Sequence, residues 1–144
     1  MNITYKSPGA LEQTRFEKIH SVIFNDSKQA SKIVAQEIAD LIKNKQKQNK
    51  NCVLGLATGS SPISVYQELV RMHVQEGLSF ENVITFNLDE YFPMYKDDIN
   101  SYHHFMSIHL FDHIDIDKKN IHIPDGGISK EKINEYCADY EKQI

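Results

Sequence analysis

Short apolar runs alternate with stretches of helical periodicity along this chain, and this alternation constrains the fold more than any other feature of the sequence. The run Cys52 to Ala57 is continuously apolar and precedes a polar turn and a helical pattern, and Val83 to Phe86 begins a second such unit. Parallel neighbouring strands need a crossover between them, which is usually a helix and nearly always right-handed. The pattern therefore predicts an α/β fold in which a parallel sheet carries helices on both faces.

The individual elements are predicted from apolar spacing and from residues that favour helix ends. A strand is expected at Ile19 to Phe24, followed by the polar cluster Asn25 to Ser27 and a helix from Lys28 to about Asn44. Cys52 to Ala57 is predicted to be a central strand covered on both faces. The remaining predicted elements are a helix after Pro62 that stops before Gly77, a strand at Val83 to Phe86, a helix capped by Ser101, a strand at Ile121 to Ile123 and a helix from about Lys130.

Composition excludes several classes of protein. Of 144 residues, 40% are hydrophobic and 25% are charged, and the formal charge is -4. This balance excludes a disordered chain and argues against nucleic acid as a partner. No apolar run approaches the roughly 20 residues of a membrane span, and Met1 to Thr14 lacks the apolar segment of a secretory signal. The expected compartment is therefore the cytoplasm, where Cys52 and Cys137 stay reduced.

The turn from Thr58 to Ser61, here called the Thr58 turn, is the first candidate binding site. Ligands of open parallel sheets bind beyond the carboxyl ends of the strands, where helix N-termini present free N–H groups. Gly59 permits close approach of the backbone, and the hydroxyl groups of Thr58, Ser60 and Ser61 add donors. The spacing matches neither a dinucleotide fingerprint nor a nucleotide P-loop. The turn indicates a site for a small phosphorylated metabolite, or only a helix start with a serine N-cap and Pro62 near the first helical position.

The segment from Asn87 to Tyr91, here called the Asp89 loop, follows the next strand and is expected to reach the same end of the sheet. Asp89 and Glu90 come directly after a buried run. Apolar surroundings raise the pKa of a carboxyl group toward the range of a general base. The loop therefore indicates proton transfer, and the alternative is a pair of solvated or helix-capping acids.

The histidines give no spacing that supports a metal site. His103 and His104 are neighbours in a predicted helix and point about 100° apart. His109 and His113 are four residues apart and could hold a metal, but the acid of an H-E-x-x-H motif is missing between them. We therefore expect these histidines to have structural or surface roles.

Three segments, taken together, resemble the glucosamine-6-phosphate deaminase family. They are Leu54 to Pro62, Val83 to Tyr91, and the helix that starts at Ser101-Tyr102 and leads to Leu110 to Ile114. The similarity runs in order over roughly Ile19 to Ile144. It implies an open, mostly parallel Rossmann-like sheet, which in this chain is an incomplete part of a larger sheet.

By this resemblance the substrate is glucosamine 6-phosphate and the products are fructose 6-phosphate and ammonia, with no cofactor and no required metal. The implied course is ring opening, isomerisation of the aldose to a ketose-type imine through an enol-like intermediate, and hydrolytic loss of the amine. Such an enzyme is a hydrolase of aminosugar and carbohydrate metabolism. Asp89 matches the family's base, which moves the proton between C2 and C1. The implied substrate-binding residues are Thr58, Gly59, Ser60, Ser61, Asp89 and Glu90.

The chain stops where the family continues. The resemblance implies a further stretch, similar to Gly-His-Ile-Ala-Phe-Asn-Glu-Pro, with the ring-opening histidine and its acidic partners, and then basic phosphate ligands. We therefore expect residues 15–144 to be the N-terminal portion of a deaminase domain, preceded by a polar extension at 1–14 and inactive alone. Uncovered apolar surface is expected to self-associate. The full-length protein is expected to be a homo-oligomer and to resemble the long family members with a following deacetylase-like module.

Three other functions stay open at this point. A 6-phosphogluconolactonase-like hydrolase would share the fold and the sugar phosphate, but its expected signature departs from the Asp89 loop. A non-catalytic sugar-phosphate sensor would keep the Thr58 turn and lose the chemistry, against which the presence of Asp89 argues. A nucleotide-binding domain would need fingerprint glycines that this sequence lacks.

Overall fold

The computed structural model describes residues 22–144, which contain a three-stranded parallel sheet in the order β1-β2-β3. The strands are β1 (Cys52–Leu56), β2 (Val83–Asn87) and β3 (Ile121–His122). The α-helices are α1 (Ser27–Lys47), α2 (Ile63–Glu76), α3 (Tyr102–His109) and α4 (Ile133–Glu141). This architecture confirms the predicted α/β class with an open parallel sheet.

The helices begin and end at residues whose chemistry satisfies their free backbone groups. The Asp26 carboxylate accepts a hydrogen bond from Lys28 N at 3.0 Å at the start of α1. Ser101 Oγ accepts from His104 N at 3.0 Å at the start of α3, which confirms the predicted N-cap. Helix α2 ends at Gly77, whose φ of 72° lies in the left-handed region that favours glycine. None of the helices in residues 22–144 is long and apolar enough to cross a membrane.

The hydrophobic core lies against one face of the sheet. β1 and β2 pair in register from Cys52 opposite Val83 to Leu56 opposite Asn87, so alternate side chains of both strands point to this face. Helices α1 and α2 pack together on it, and α3 completes the cluster. Buried members of the core include Ala35, Ala39, Ile42, Cys52, Leu56, Tyr66, Leu69, Met72, Phe80, Val83, Met106 and Leu110.

Central placement of β1 was predicted wrongly, since β2 is the central strand of the described sheet. Within residues 22–144, β1 pairs only with β2, and Val53 is 55% exposed. The apolar run predicted burial on both faces, but α1 packs on one face of β1 only. On the opposite face of the sheet, α4 lies over β2, where Tyr140 packs on Phe86. Helices therefore lie on both faces of the sheet, although not over β1.

The strand expected at Ile19 to Phe24 is the second correction. Residues 19–21 of this segment lie outside the described residues. Val22, Ile23 and Phe24 are in irregular conformation, and Val22 and Ile23 are exposed. β-branched residues favour a strand where it can pair and bury one face. In the described part of the chain residues 22–24 have no pairing strand, and Val22 and Ile23 have no covering layer, so the prediction is wrong there.

Candidate functional site

The Thr58 turn and the Asp89 loop leave the sheet side by side. Leu56 and Asn87 end β1 and β2, and they lie opposite each other in the parallel pairing. Neighbouring strands are about 4.8 Å apart, so the two segments begin at one edge of the sheet, one strand spacing from each other. This is the arrangement that the sequence predicts.

Tyr102 bridges the two segments from the first turn of α3. Its hydroxyl group lies beside the side chains of Tyr91 and Thr58, and the rings of Tyr91 and Tyr102 are 4.7 Å apart between centroids. The hydrogen bond with Tyr91 raises the pKa of Tyr102. The Tyr102 phenol therefore keeps its proton at neutral pH and can donate a hydrogen bond at this edge of the sheet.

Two buried side chains fix the end of β1 from which the Thr58 turn departs. The Tyr66 hydroxyl group, on α2, donates to the carbonyl oxygen of Ala57. Burial raises the pKa of Tyr66 to about 12, so this phenol stays a donor. Asn87 Nδ2 donates to the carbonyl oxygen of Leu56 at 3.2 Å. The position of the turn relative to β2 is therefore set by hydrogen bonds beneath it.

The Thr58 turn presents uncapped backbone at the start of α2. Pro62 occupies the N-cap position, and no side chain of residues 22–144 accepts a hydrogen bond from the first turn of this helix. The serine N-cap was therefore predicted wrongly, because the helix begins one residue later and leaves the hydroxyl groups of Ser60 and Ser61 exposed. Gly59 has a φ of 99°, which residues other than glycine rarely adopt. Free N–H groups, serine hydroxyl groups and the helix dipole make this end of α2 suited to an anion.

Asp89 is exposed at the same edge, next to Leu88 and Tyr91, which are also exposed. The apolar burial expected for this carboxyl group is not present in the described structure. β2 buries Val83, Phe86 and Asn87, but the loop after it turns out of the core at Leu88. The Asp89 carboxylate is consequently accessible to a ligand.

Glu90 instead points its carboxylate at backbone N–H groups. Its Oε1 accepts from Tyr91 N at 2.9 Å and from Tyr102 N at 3.0 Å, and its Oε2 accepts from Tyr102 N at 2.9 Å and from His103 N at 3.2 Å. With Ser101 bonded to His104 N, the first N–H groups of α3 are all occupied. Glu90 thus caps α3, whereas the start of α2 at the same edge has no side-chain cap and stays open to a ligand.

Replacing Glu90 by alanine is expected to lower the stability of the chain by about 1–2 kcal/mol, because the first N–H groups of α3 lose their acceptor and its charge. Urea unfolding followed by circular dichroism measures this change. Glu81→Ala is a matched control, since Glu81 is an exposed acid of the α2–β2 connection that forms no ion pair within residues 22–144. Equal urea unfolding midpoints for Glu90→Ala and Glu81→Ala would show that Glu90 does not stabilise α3.

The histidines occupy structural positions, and the described chain contains no metal cluster. The His109 ring packs on Phe105 with centroids 4.4 Å apart, and His113 Nε2 lies 3.0 Å from the carbonyl oxygen of Ile108. Burial lowers the pKa of His103, and the nearby Lys96 lowers it further. Among residues 22–144 no three His, Cys, Asp or Glu side chains come together in a group that could hold a metal ion.

The sequence did not assign Tyr66, Asn87 or Tyr102 to the site. Asn87 is 2% exposed and ends β2, and a buried amide at a strand end is a signal that it holds a neighbouring segment. Tyr102 directly follows the N-cap of α3, which places it at the same edge as the candidate loops. Tyr66 lies within the helix predicted after Pro62, and nothing in the local sequence shows that its hydroxyl group reaches Ala57.

Comparison with known proteins finds one family. The family described as glucosamine-6-phosphate isomerases/6-phosphogluconolactonase matches residues 25–144. A protein of Bacteroides thetaiotaomicron named as glucosamine-6-phosphate deaminase-like is 48% identical over 143 residues, covering 97% of this chain and 22% of that protein. The glucosamine-6-phosphate deaminase of Treponema denticola is 47% identical over 124 residues, covering 85% of this chain and 45% of that enzyme.

Solved structures have the same fold. A monomeric glucosamine-6-phosphate deaminase is 40% identical and superposes with a TM-score of 0.77. The superposition covers 84% of this chain and 48% of that one. The 6-phosphogluconolactonase of Thermotoga maritima is 20% identical, with a TM-score of 0.66 over 85% of this chain and 52% of that one; it shares the fold. This chain thus spans between 22% and 52% of the length of these relatives. It belongs to the family of glucosamine-6-phosphate isomerases and 6-phosphogluconolactonases.

Proposed function

We propose that this chain is the N-terminal part of an aminosugar-phosphate deaminase that converts glucosamine 6-phosphate to fructose 6-phosphate and ammonia. The observation that carries the proposal is the parallel pairing of Leu56 with Asn87, from which an anion-binding turn and an accessible carboxylate leave at one edge of the sheet. Among the relatives above, those with 40–48% identity are named as glucosamine-6-phosphate deaminases or deaminase-like, and this favours deamination over lactone hydrolysis.

The Thr58 turn holds the phosphate group of the sugar. Residues 58–61 surround the uncapped start of α2, so backbone N–H groups and the hydroxyl groups of Thr58, Ser60 and Ser61 can donate to phosphate oxygens. The dipole of this 14-residue helix adds a favourable potential for a dianion. No lysine or arginine of residues 22–144 lies within the turn, and further positive charge comes from the part of the enzyme that follows this chain.

Asp89 is the catalytic base. With the phosphate held one strand away, its carboxylate takes the proton from C2 of the open-chain aminosugar and returns it to C1 through the enol-like intermediate. The C2 imine then adds water and releases ammonia. Glu90 acts as a positioning residue rather than a direct ligand, because its carboxylate is already bonded to three backbone N–H groups. Ring opening falls to a histidine outside this chain.

Ammonia release from glucosamine 6-phosphate tests the proposal in two preparations. We expect the full-length enzyme to release ammonia and form fructose 6-phosphate, and the 144-residue chain to show no turnover above the uncatalysed rate. Turnover by the chain alone would overturn its assignment as an incomplete part. A full-length protein that hydrolyses 6-phosphogluconolactone and releases no ammonia would overturn the deaminase assignment. We also propose that the full-length protein is a cytoplasmic homo-oligomer. Cell fractionation that finds it outside the cytoplasm would contradict the location, and a monomer in solution would contradict the oligomeric state.

A further inference from the structure

The turn that follows β3, residues 124–127 and here called the Gly126 turn, presses against the backbone of the Asp89 loop. Gly126 is buried, and Met94 N donates to its carbonyl oxygen at 2.9 Å. A Cβ atom on Gly126 would collide with the carbonyl oxygen of Tyr91 and would lie 2.9 Å from the carbonyl oxygen of Met94 and 3.0 Å from Met94 Cβ. These are backbone atoms or atoms attached to the backbone, so only movement of main chain, in the loop or in the turn, could make room.

The Gly126 turn is itself fixed from the other side. Asp125 N donates to the Tyr136 hydroxyl group of α4 at 2.8 Å, and Asp125 Oδ1 accepts from Gly127 N at 2.9 Å. Asp125 Oδ2 also lies 3.8 Å from Lys96 Nζ, as an exposed pair that contributes little. Helix α4 therefore supports the turn through Tyr136, and the turn supports Tyr91 and Met94.

We propose that Gly126 is a positioning residue that sets the place of the Asp89 loop relative to the Thr58 turn. The absence of a side chain lets the turn seat directly under the carbonyl oxygen of Tyr91, two residues from Asp89. Tyr91 in turn packs on Tyr102, which reaches the Thr58 side chain. The role in catalysis rests on the proposed function, whereas the effect on the loop does not.

The neighbouring glycine provides a matched control. A Cβ atom on Gly127 would lie 3.3 Å from Asp125 Oδ1 and 3.4 Å from Tyr95 Cδ1, both ends of side chains that can shift. Gly127 is also exposed, whereas Gly126 is buried. Gly126→Ala and Gly127→Ala therefore add the same methyl group to adjacent residues. Only the methyl group at residue 126 clashes with main-chain atoms.

The experiment compares both variants in the full-length protein with two readouts. Chymotrypsin cleavage after the exposed Tyr95 reports local opening of the β2–α3 connection that continues from the Asp89 loop, and cleavage after the buried Phe80 reports global unfolding. We expect Gly126→Ala to accelerate cleavage at Tyr95 at least about tenfold more than at Phe80, because added volume displaces the loop. We expect kcat for ammonia release to fall about 10–100-fold, as small misplacements of a reacting group do, with KM changed less than about threefold. Gly127→Ala is expected to match the wild type in both readouts, the cleavage at Tyr95 and the kinetics of ammonia release.

Tyr136→Phe supplies a second variant that adds no atoms. It removes the acceptor for Asp125 N and is expected to change cleavage at Tyr95 and kcat in the same direction, by about threefold. If Gly126→Ala behaves like Gly127→Ala, or if it does not fold and Tyr136→Phe changes neither readout, the positioning role is wrong. If the wild-type protein releases no ammonia while the difference in cleavage persists, the proposed function fails and the structural effect of Gly126 stands.

Discussion

Replacing Asp89 by asparagine in the full-length enzyme is expected to lower kcat for ammonia release at least about a hundredfold. Asparagine keeps the size and shape of the side chain but cannot accept the C2 proton, and a well-placed general base contributes about 10²–10⁴ in rate. KM should change little, because the Thr58 turn that holds the phosphate is untouched. Steady-state kinetics with glucosamine 6-phosphate separates the two parameters.

Asp97→Asn is the matched control for this variant. Asp97 is an exposed acid in the connection between β2 and α3, and its loss changes the net charge by the same amount. We expect its kcat to stay within about twofold of the wild type, as for a surface substitution. If Asp89→Asn retains near-normal ammonia release, another group is the base.

Replacing Phe80 by alanine is expected to lower the free energy of unfolding by about 3–5 kcal/mol. Phe80 is 1% exposed in the connection between α2 and β2, and its ring meets His73 edge-on with centroids 6.1 Å apart. Truncation removes the largest fully buried side chain of the described residues and leaves a cavity beside β2. Urea unfolding of the wild type and the variant measures the change.

Ile99→Ala is the control for Phe80→Ala, because Ile99 is 77% exposed. Its free energy of unfolding should stay within about 0.5 kcal/mol of the wild type. Equal losses in the two variants would mean that Phe80 does not anchor the α2–β2 connection. Because β2 carries the Asp89 loop, a confirmed loss at Phe80 would also show that this strand depends on the core beneath it.

The elements with strong local signals were predicted well from the sequence. Apolar runs marked β1 and β2, Ser101 marked the start of α3, and Gly77 marked the end of α2. The edge shared by the Thr58 turn and the Asp89 loop also followed from the sequence, since parallel strands bring their carboxyl ends together. These features depend on residues that are close in sequence or on a rule of topology.

Features that depend on distant contacts were predicted only in part. The sequence offered helix capping as the alternative for Asp89 and Glu90, but nothing near Glu90 shows that the helix it caps starts at Tyr102. Nothing near Gly126 shows that its turn lies against Tyr91. The exposure of Val53 and of Asp89 depends equally on which elements cover them. Self-association through exposed apolar residues stays a prediction, which light scattering of the chain can check.

The register of β1 against β2 has a consequence for how this fold can change its chemistry. Main-chain pairing of Leu56 with Asn87 makes the Thr58 turn and the Asp89 loop begin one strand spacing apart, and this starting separation does not depend on which side chains lie at the exposed ends of the two segments. Under the proposed function, a substitution in the Asp89 loop would exchange one reactive group for another while the strand pairing beneath both segments stays the same. One scaffold could thus bind an aminosugar or a sugar lactone through the same phosphate group, because the pairing of β1 with β2 fixes where both segments begin.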